Sequence, residues 1–161
     1  MTHKEQLILS NELSLIPIRL FTGKWIFINK DGNDYFGVKF KKADGFSGGL
    51  SRVRFLNGKW GFINIKGENA FGVEFRYADE FGHGNEICNR GEIARVRFLN
   101  GNWGCINLKG ENAYGEEFKY VGEIYRGSLS AKVKRLNGKR GYINLSGAST
   151  IMYSELLKEQ A

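Results

Sequence analysis

One segment of this chain is written four times. Ser51-Arg52-Val53-Arg54-Phe55-Leu56-Asn57-Gly58-Lys59-Trp60-Gly61-Phe62-Ile63-Asn64 returns as Ala94 to Asn107, in worn form as Ala131 to Asn144, and in an early copy as Pro17 to Asn29. The aligned positions 25, 60, 103 and 140 are 35, 43 and 37 residues apart, and the long middle interval holds an insertion from Gly82 to Glu92. Downstream, Gly32, Gly67, Gly110 and Gly147 keep one offset from the aligned Asn, and Phe36-Gly37-Val38-Lys39-Phe40 is echoed at Phe71 to Phe75 and Tyr114 to Phe118. Repetition at this period is the signature of an array whose units bury their apolar faces on one another. The copies run over about 16–48, 50–90, 93–127 and 130–149, followed by a C-terminal cap at 150–161, within a single repeat domain spanning 1–161.

Each copy reads as a β meander. Asn57-Gly58 sits between two alternating apolar runs, which predicts a two-residue type I′ hairpin turn. The first strand, Arg52 to Leu56, turns Val53 and Phe55 one way and Arg52 and Arg54 the other. The second, Lys59 to Ile65, is apolar on both faces, as expected of a strand packed between neighbours. A third strand is expected from about Ala70 to Tyr77. The 22 glycines and single proline, Pro17, fit many tight turns joining short strands. Gly61 and Gly104, each beside a tryptophan, are expected to admit a ring or backbone from the adjacent copy. Trp25, Trp60 and Trp103 are expected in the core. The fold class is therefore all-β: four three-stranded antiparallel units joined by Asn-Gly hairpins in an open, twisted, solenoid-like array. The alternative is a closed small propeller or barrel. Met1 to Asn11 and Ser154 to Gln160 read as short helical caps, the second with Ser154 at its N-cap.

These blocks resemble the WG-containing repeat, or KWG repeat, of bacterial proteins. The shared core is Asn-Gly-Lys-Trp-Gly-Phe-Ile-Asn followed by Gly, as in Asn57 to Gly67, and the connector Phe46-Ser47-Gly48-Gly49-Leu50 is similar too. The resemblance covers about residues 16–148. Two features depart from it: Asn replaces the usual acidic residue after the Phe-Ile pair, and Phe-Gly-Val-Lys-Phe replaces the proline-rich third strand. It implies a β-repeat scaffold for structural or interaction roles and carries over no catalytic residue.

The residues that usually carry chemistry are scarce. His3 and His83 are the histidines, and Cys88 and Cys105 the cysteines. His83 lies five residues before Cys88 in the insertion. A Cys–His nucleophile pair is weighed there against a polar loop, and the loop reading is preferred. Cys105 takes the place of Phe27, Phe62 and Tyr142, as a core filler would. No closely spaced cysteine pair offers zinc ligands. Asp31-Gly32-Asn33-Asp34 lacks the later residues of a calcium loop, and Gly45 to Gly49 is not a phosphate-binding loop. No catalytic residue, metal or cofactor is expected. With two cysteines, no long apolar span and no export signal, the expected place is the cytoplasm, without membrane attachment.

One pattern points outward. Arg19, Arg54, Arg97 and Lys134 are equivalent, as are Arg52, Arg95 and Lys132, and all lie on the face opposite Val53 and Phe55. The chain carries a formal charge of +7, so stacked copies would align these cations as a positive stripe. Two readings compete. In one, each cation pairs with a repeated acid such as Glu74, Asp79 or Glu117. In the other, the stripe binds anionic groups of a partner. The expected function is a non-enzymatic protein-binding module that uses this face and the insertion loop residues His83, Asn85 and Glu86, in the manner of an immunity-like or regulatory protein. The alternative is binding of nucleic acid or another polyanion, with Tyr77 and Tyr120 as stacking surfaces. A structural spacer is the third reading. The oligomeric state is left open.

Overall fold

A computed structural model describes residues 2–81, 93–124 and 129–145. The chain divides into two compact units, Met1–Phe75 and Arg76–Ala161. The first holds α1 (His3–Leu13), β1 (Ile16–Arg19), β2 (Trp25–Ile28), β3 (Lys42–Ala43), β4 (Ser51–Arg54) and β5 (Trp60–Ile63). The second holds β6 (Tyr77–Ala78), β7 (Ala94–Arg97), β8 (Trp103–Ile106), β9 (Phe118–Val121), β10 (Ser130–Arg135) and β11 (Arg140–Asn144). Every strand pairing is antiparallel, in sheets ordered β1-β2, β3-β4-β5 and β11-β10-β9-β8-β7-β6. None of these sheets closes into a barrel, and the strands of both units are those of an all-β repeat fold.

The turn between β4 and β5 differs from the predicted one. Phe55 N–H donates to Lys59 O at 2.8 Å, and Gly58 N–H donates to Phe55 O at 2.9 Å. Gly58 has φ +88°, whereas Ser14 is the one described non-glycine residue with positive φ. The loop is thus three residues, a type I turn closed by a left-handed glycine, and not a two-residue type I′ turn. Asn57 holds it with its side chain, its Oδ1 accepting from Lys59 N–H at 2.9 Å. Asn100 and Asn137 repeat that bond to Asn102 and Lys139. A three-residue loop fixes the register: Arg54 lies across from Trp60, Val53 from Gly61 and Arg52 from Phe62. The same pairing recurs as Arg19 with Trp25 and Arg97 with Trp103.

The third strand is shorter than expected. Asn69 Oδ1 accepts from the N–H groups of Phe71 and Gly72, and its amide donates to Val73 O. These side-chain bonds draw the segment into a loop, where a ladder was expected. What remains of the strand joins neighbouring copies. Phe40 exchanges backbone bonds with Trp25 of its own copy, and Lys42 and Ala43 then pair with Arg54 and Val53 of the next. Phe118 to Val121 links β8 to β10 in the same way. The aligned Asn29, Asn64 and Asn107 each accept two backbone N–H bonds from the following turn.

Within each unit the copies shelter one another. In the first, Phe27 and Phe40 pack with Ala43 and with Val53 and Ile63 of the second copy, and Phe36 and Phe46 flank them. Phe27 meets Phe36, Phe40 and Phe46 edge-on at centroid distances of 5.5, 5.9 and 5.1 Å. In the second unit, Cys105, Tyr114 and Phe118 pack against Val121, Ala131, Val133 and Ile143. Fully burying one such Phe or Ile contributes about 1.5–3 kcal/mol. The glycines beside Trp60 and Trp103 do admit a ring, but from their own hairpins. A Cβ on Gly61 would lie 2.5 Å from Phe55 Cε2, and one on Gly104 would lie 2.6 Å from Phe98 Cε2. The expected N-terminal helix is present, with Thr2 and Glu5 closing a capping box. The expected C-terminal helix lies outside the described residues. Among the described residues no helix is long and apolar enough to cross a membrane.

Candidate functional site

The tryptophans correct the sequence reading. The fully buried rings are Phe27, Phe40, Phe62, Phe75 and Phe118, whereas Trp25, Trp60 and Trp103 are only partly buried. Strand face alone does not set the difference, because the buried Phe27 and Phe62 lie two residues on from Trp25 and Trp60 and share their face. Residues directly opposite in an antiparallel pair share a face, so each of the three tryptophans lies on the face of the basic ladder. Arg52 and Arg54 place their guanidinium carbons 4.8 and 5.8 Å from the Trp60 ring centre. Arg95 and Arg97 stand 4.9 and 5.8 Å from that of Trp103. The indoles act as platforms for guanidinium groups, an attraction of about 0.5–2 kcal/mol per pair.

The ladder then splits into two rungs. On the inner rung Arg52 pairs with Asp44, and Arg95 pairs with Asp79 at 2.7 Å. Arg95 is 6% exposed and also donates to Val121 O at 3.0 Å, while Tyr77 donates its phenol proton to Asp79. Burial works against the Arg95 charge. The hydrogen bond and ion pair with Asp79, with the nearby Tyr77 and Tyr120, outweigh burial and raise its pKa above the usual guanidinium value. These two arginines are neutralised internally, as the first of the competing readings required.

The outer rung is different. Arg54 Nε donates to Gly58 O at 2.9 Å and Arg97 Nε to Gly101 O at 3.0 Å, both turn carbonyls. Among the described residues no carboxylate lies within ion-pair distance of Arg19, Arg54, Arg97 or Lys134. Glu74 and Glu117, expected as arginine partners, bind the turn residues instead. Glu74 accepts from Asn57 and stands 3.9 Å from Lys59, and Glu117 accepts from Asn100 and Asn102. Lys132 lies across from Tyr142.

In the second unit these groups form a row across the six-stranded sheet. Tyr77 lies opposite Arg97 and Arg97 opposite Trp103. The Tyr120 ring stands 5.9 Å from that of Trp103. Tyr120 lies opposite Lys134, and Lys134 opposite Arg140. Lys134, Arg140 and Tyr120 are exposed. Like charges directly opposed, as at Lys134 and Arg140, repel.

Sequence reasoning missed Lys41 and Arg76. A Cβ on Gly58 would lie 3.8 Å from Lys41 Nζ and 3.9 Å from Arg54 Nη2, and one on Gly101 would lie 3.6 Å from Arg76 Nη1 and 4.0 Å from Arg97 Nη2. Their signal was present: Lys41, Arg76 and Lys119 each follow the aligned Phe40, Phe75 and Phe118. The insertion residues His83, Asn85, Glu86 and Cys88 lie outside the described residues. Cys105 is wholly buried, and burial pushes its thiol up to about 12, which keeps it protonated. Among the described residues no cluster of His, Cys, Asp and Glu side chains could hold a metal ion. No family model matches the chain, and no curated protein is similar to it. The likeness to WG repeats rests on the motifs alone.

Proposed function

We propose that this chain is a non-enzymatic, WG-type repeat module of the cytoplasm that binds an acidic partner protein through its outer cations. One observation carries this reading. Arg54 and Arg97 are held over tryptophan faces and anchored at Nε, while their terminal nitrogens meet no acceptor among the described residues. A guanidinium fixed in this way retains its planar fork for a carboxylate. Nucleic acid is the weaker reading, because stacking of bases needs open ring faces. Of the rings that reading names, Tyr77 is half-buried and bonded to Asp79, so Tyr120 is the one exposed platform, and the rings of Trp60 and Trp103 are already crowded by guanidinium groups.

The test is affinity capture from native host lysate with the wild-type chain and an Arg54→Gln/Arg97→Gln variant. An acidic protein retained by the wild type, released by salt and lost with the variant supports the proposal. Capture abolished by nuclease, or equal capture by both chains, overturns it.

A further inference from the structure

The residue that opens each hairpin turn is Phe21, Leu56, Leu99 or Leu136 in the four copies. A solvated turn has no structural need of a large apolar side chain, yet all four are exposed; Leu56 is 48% and Leu99 45% exposed. The two inner turns add a second regularity. Lys41 and Arg54 reach the same side of Gly58, and Arg76 and Arg97 the same side of Gly101. None of these four cations has a carboxylate within ion-pair distance among the described residues. Each inner turn therefore joins one exposed leucine to two positive groups on a rigid hairpin end.

We infer that each inner turn is an anchor for an acidic, leucine-bearing segment of the partner protein, with its carboxylates between the two cations and its apolar side chains on Leu56 or Leu99. This rests on the acidic-partner reading above and adds which chemistry the partner presents. Charge complementarity selects this occupant. A second copy of the chain, itself at +7, would bring cation against cation. An anionic lipid surface also attracts cations beside apolar residues. An interfacial binder, however, lays a broad apolar face into the membrane, whereas each inner turn offers a single exposed leucine, which suits a peptide segment.

Fluorescence anisotropy with the full chain tests this. The probes are a labelled peptide of alternating Glu and Leu, a Glu and Ser peptide of equal charge, and an oligothymidylate of equal charge. The Glu-Leu peptide is expected to bind about tenfold more tightly than Glu-Ser, the gain from burying a leucine contact. A Leu56→Ser/Leu99→Ser variant should lose that preference and keep its Glu-Ser affinity. Both substitutions fall at exposed turn positions, and unchanged tryptophan fluorescence checks folding. Equal binding of the two peptides by the wild type overturns the inference and leaves the acidic-partner reading standing. Binding of neither peptide, or tighter binding of the oligothymidylate, overturns that reading as well. Flotation with phosphatidylserine vesicles that is lost in the double variant overturns the inference in favour of a membrane.

Discussion

Arg95 and Arg97 are two residues apart on one strand and do opposite work. Arg95 is closed in by Asp79, Val121 O and the Trp103 ring. Removing its side chain strips the Asp79 carboxylate of its counter-charge, leaving it the Tyr77 hydroxyl, and takes from Val121 O its guanidinium donor. Arg97 touches the same ring from the outside and gives one bond to a turn carbonyl. Arg95→Ala should cost about 3 kcal/mol of unfolding free energy, the usual penalty for breaking a buried pair from one side. Arg97→Ala should cost no more than about 1 kcal/mol, the scale of an exposed cation–π contact, while weakening capture of an acidic ligand. Urea denaturation checks the first pair of values and peptide anisotropy the second. A loss of stability at Arg97 as large as at Arg95 would show both cations to be structural.

At the scale of the hairpin, one residue of loop length decides what faces the tryptophan. A two-residue turn at Asn57-Gly58 would set Phe55 across from Trp60 and bury both together. The observed loop sets Arg54 there and sends the Phe55 ring onto Gly61. A one-residue slip exchanges the faces of a strand, so the sequence reading had the first two strands, the place of the turn and the packing of copies within a unit right, but the turn's type wrong, and it placed the indoles in the core. The third strand was misjudged because Asn69 satisfies the backbone with its side chain, which propensity does not register. The positive ladder was legible from periodicity; its division into paired and unpaired rungs was not, since Asp44 and Asp79 reach Arg52 and Arg95 through the fold. The ring on Gly61 makes a direct prediction. Gly61→Ala should destabilise by about 2 kcal/mol through overpacking. Adding Phe55→Leu, which shortens the colliding group, should recover part of that loss, so the double variant should unfold at a higher denaturant concentration than Gly61→Ala alone. Additive losses in the two variants would mean that the ring does not lie against the glycine.

For the whole molecule, the sign of the salt response separates a charged surface kept for solubility from one kept for a partner. The chain has 24 Lys and Arg against 17 Asp and Glu. Among its described residues the closest ion pairs, Arg52–Asp44 and Arg95–Asp79, are largely shielded from solvent, whereas Arg54 and Lys134 are exposed without acids. Added salt screens exposed charges first, with a Debye length of about 10 Å at 0.1 M and about 3 Å at 1 M. Repulsion among the outer cations therefore fades while the inner pairs persist, and the melting temperature should hold or rise as NaCl increases. Attraction to a Glu-rich ligand fades at the same time, chiefly through a slower association rate. Scanning calorimetry and stopped-flow binding over one salt series should show these opposite trends. Arg54→Gln/Arg97→Gln should flatten the binding trend and leave melting nearly unchanged. Melting that falls in step with binding would place the outer cations in stabilising ion pairs and remove the basis for a docking face.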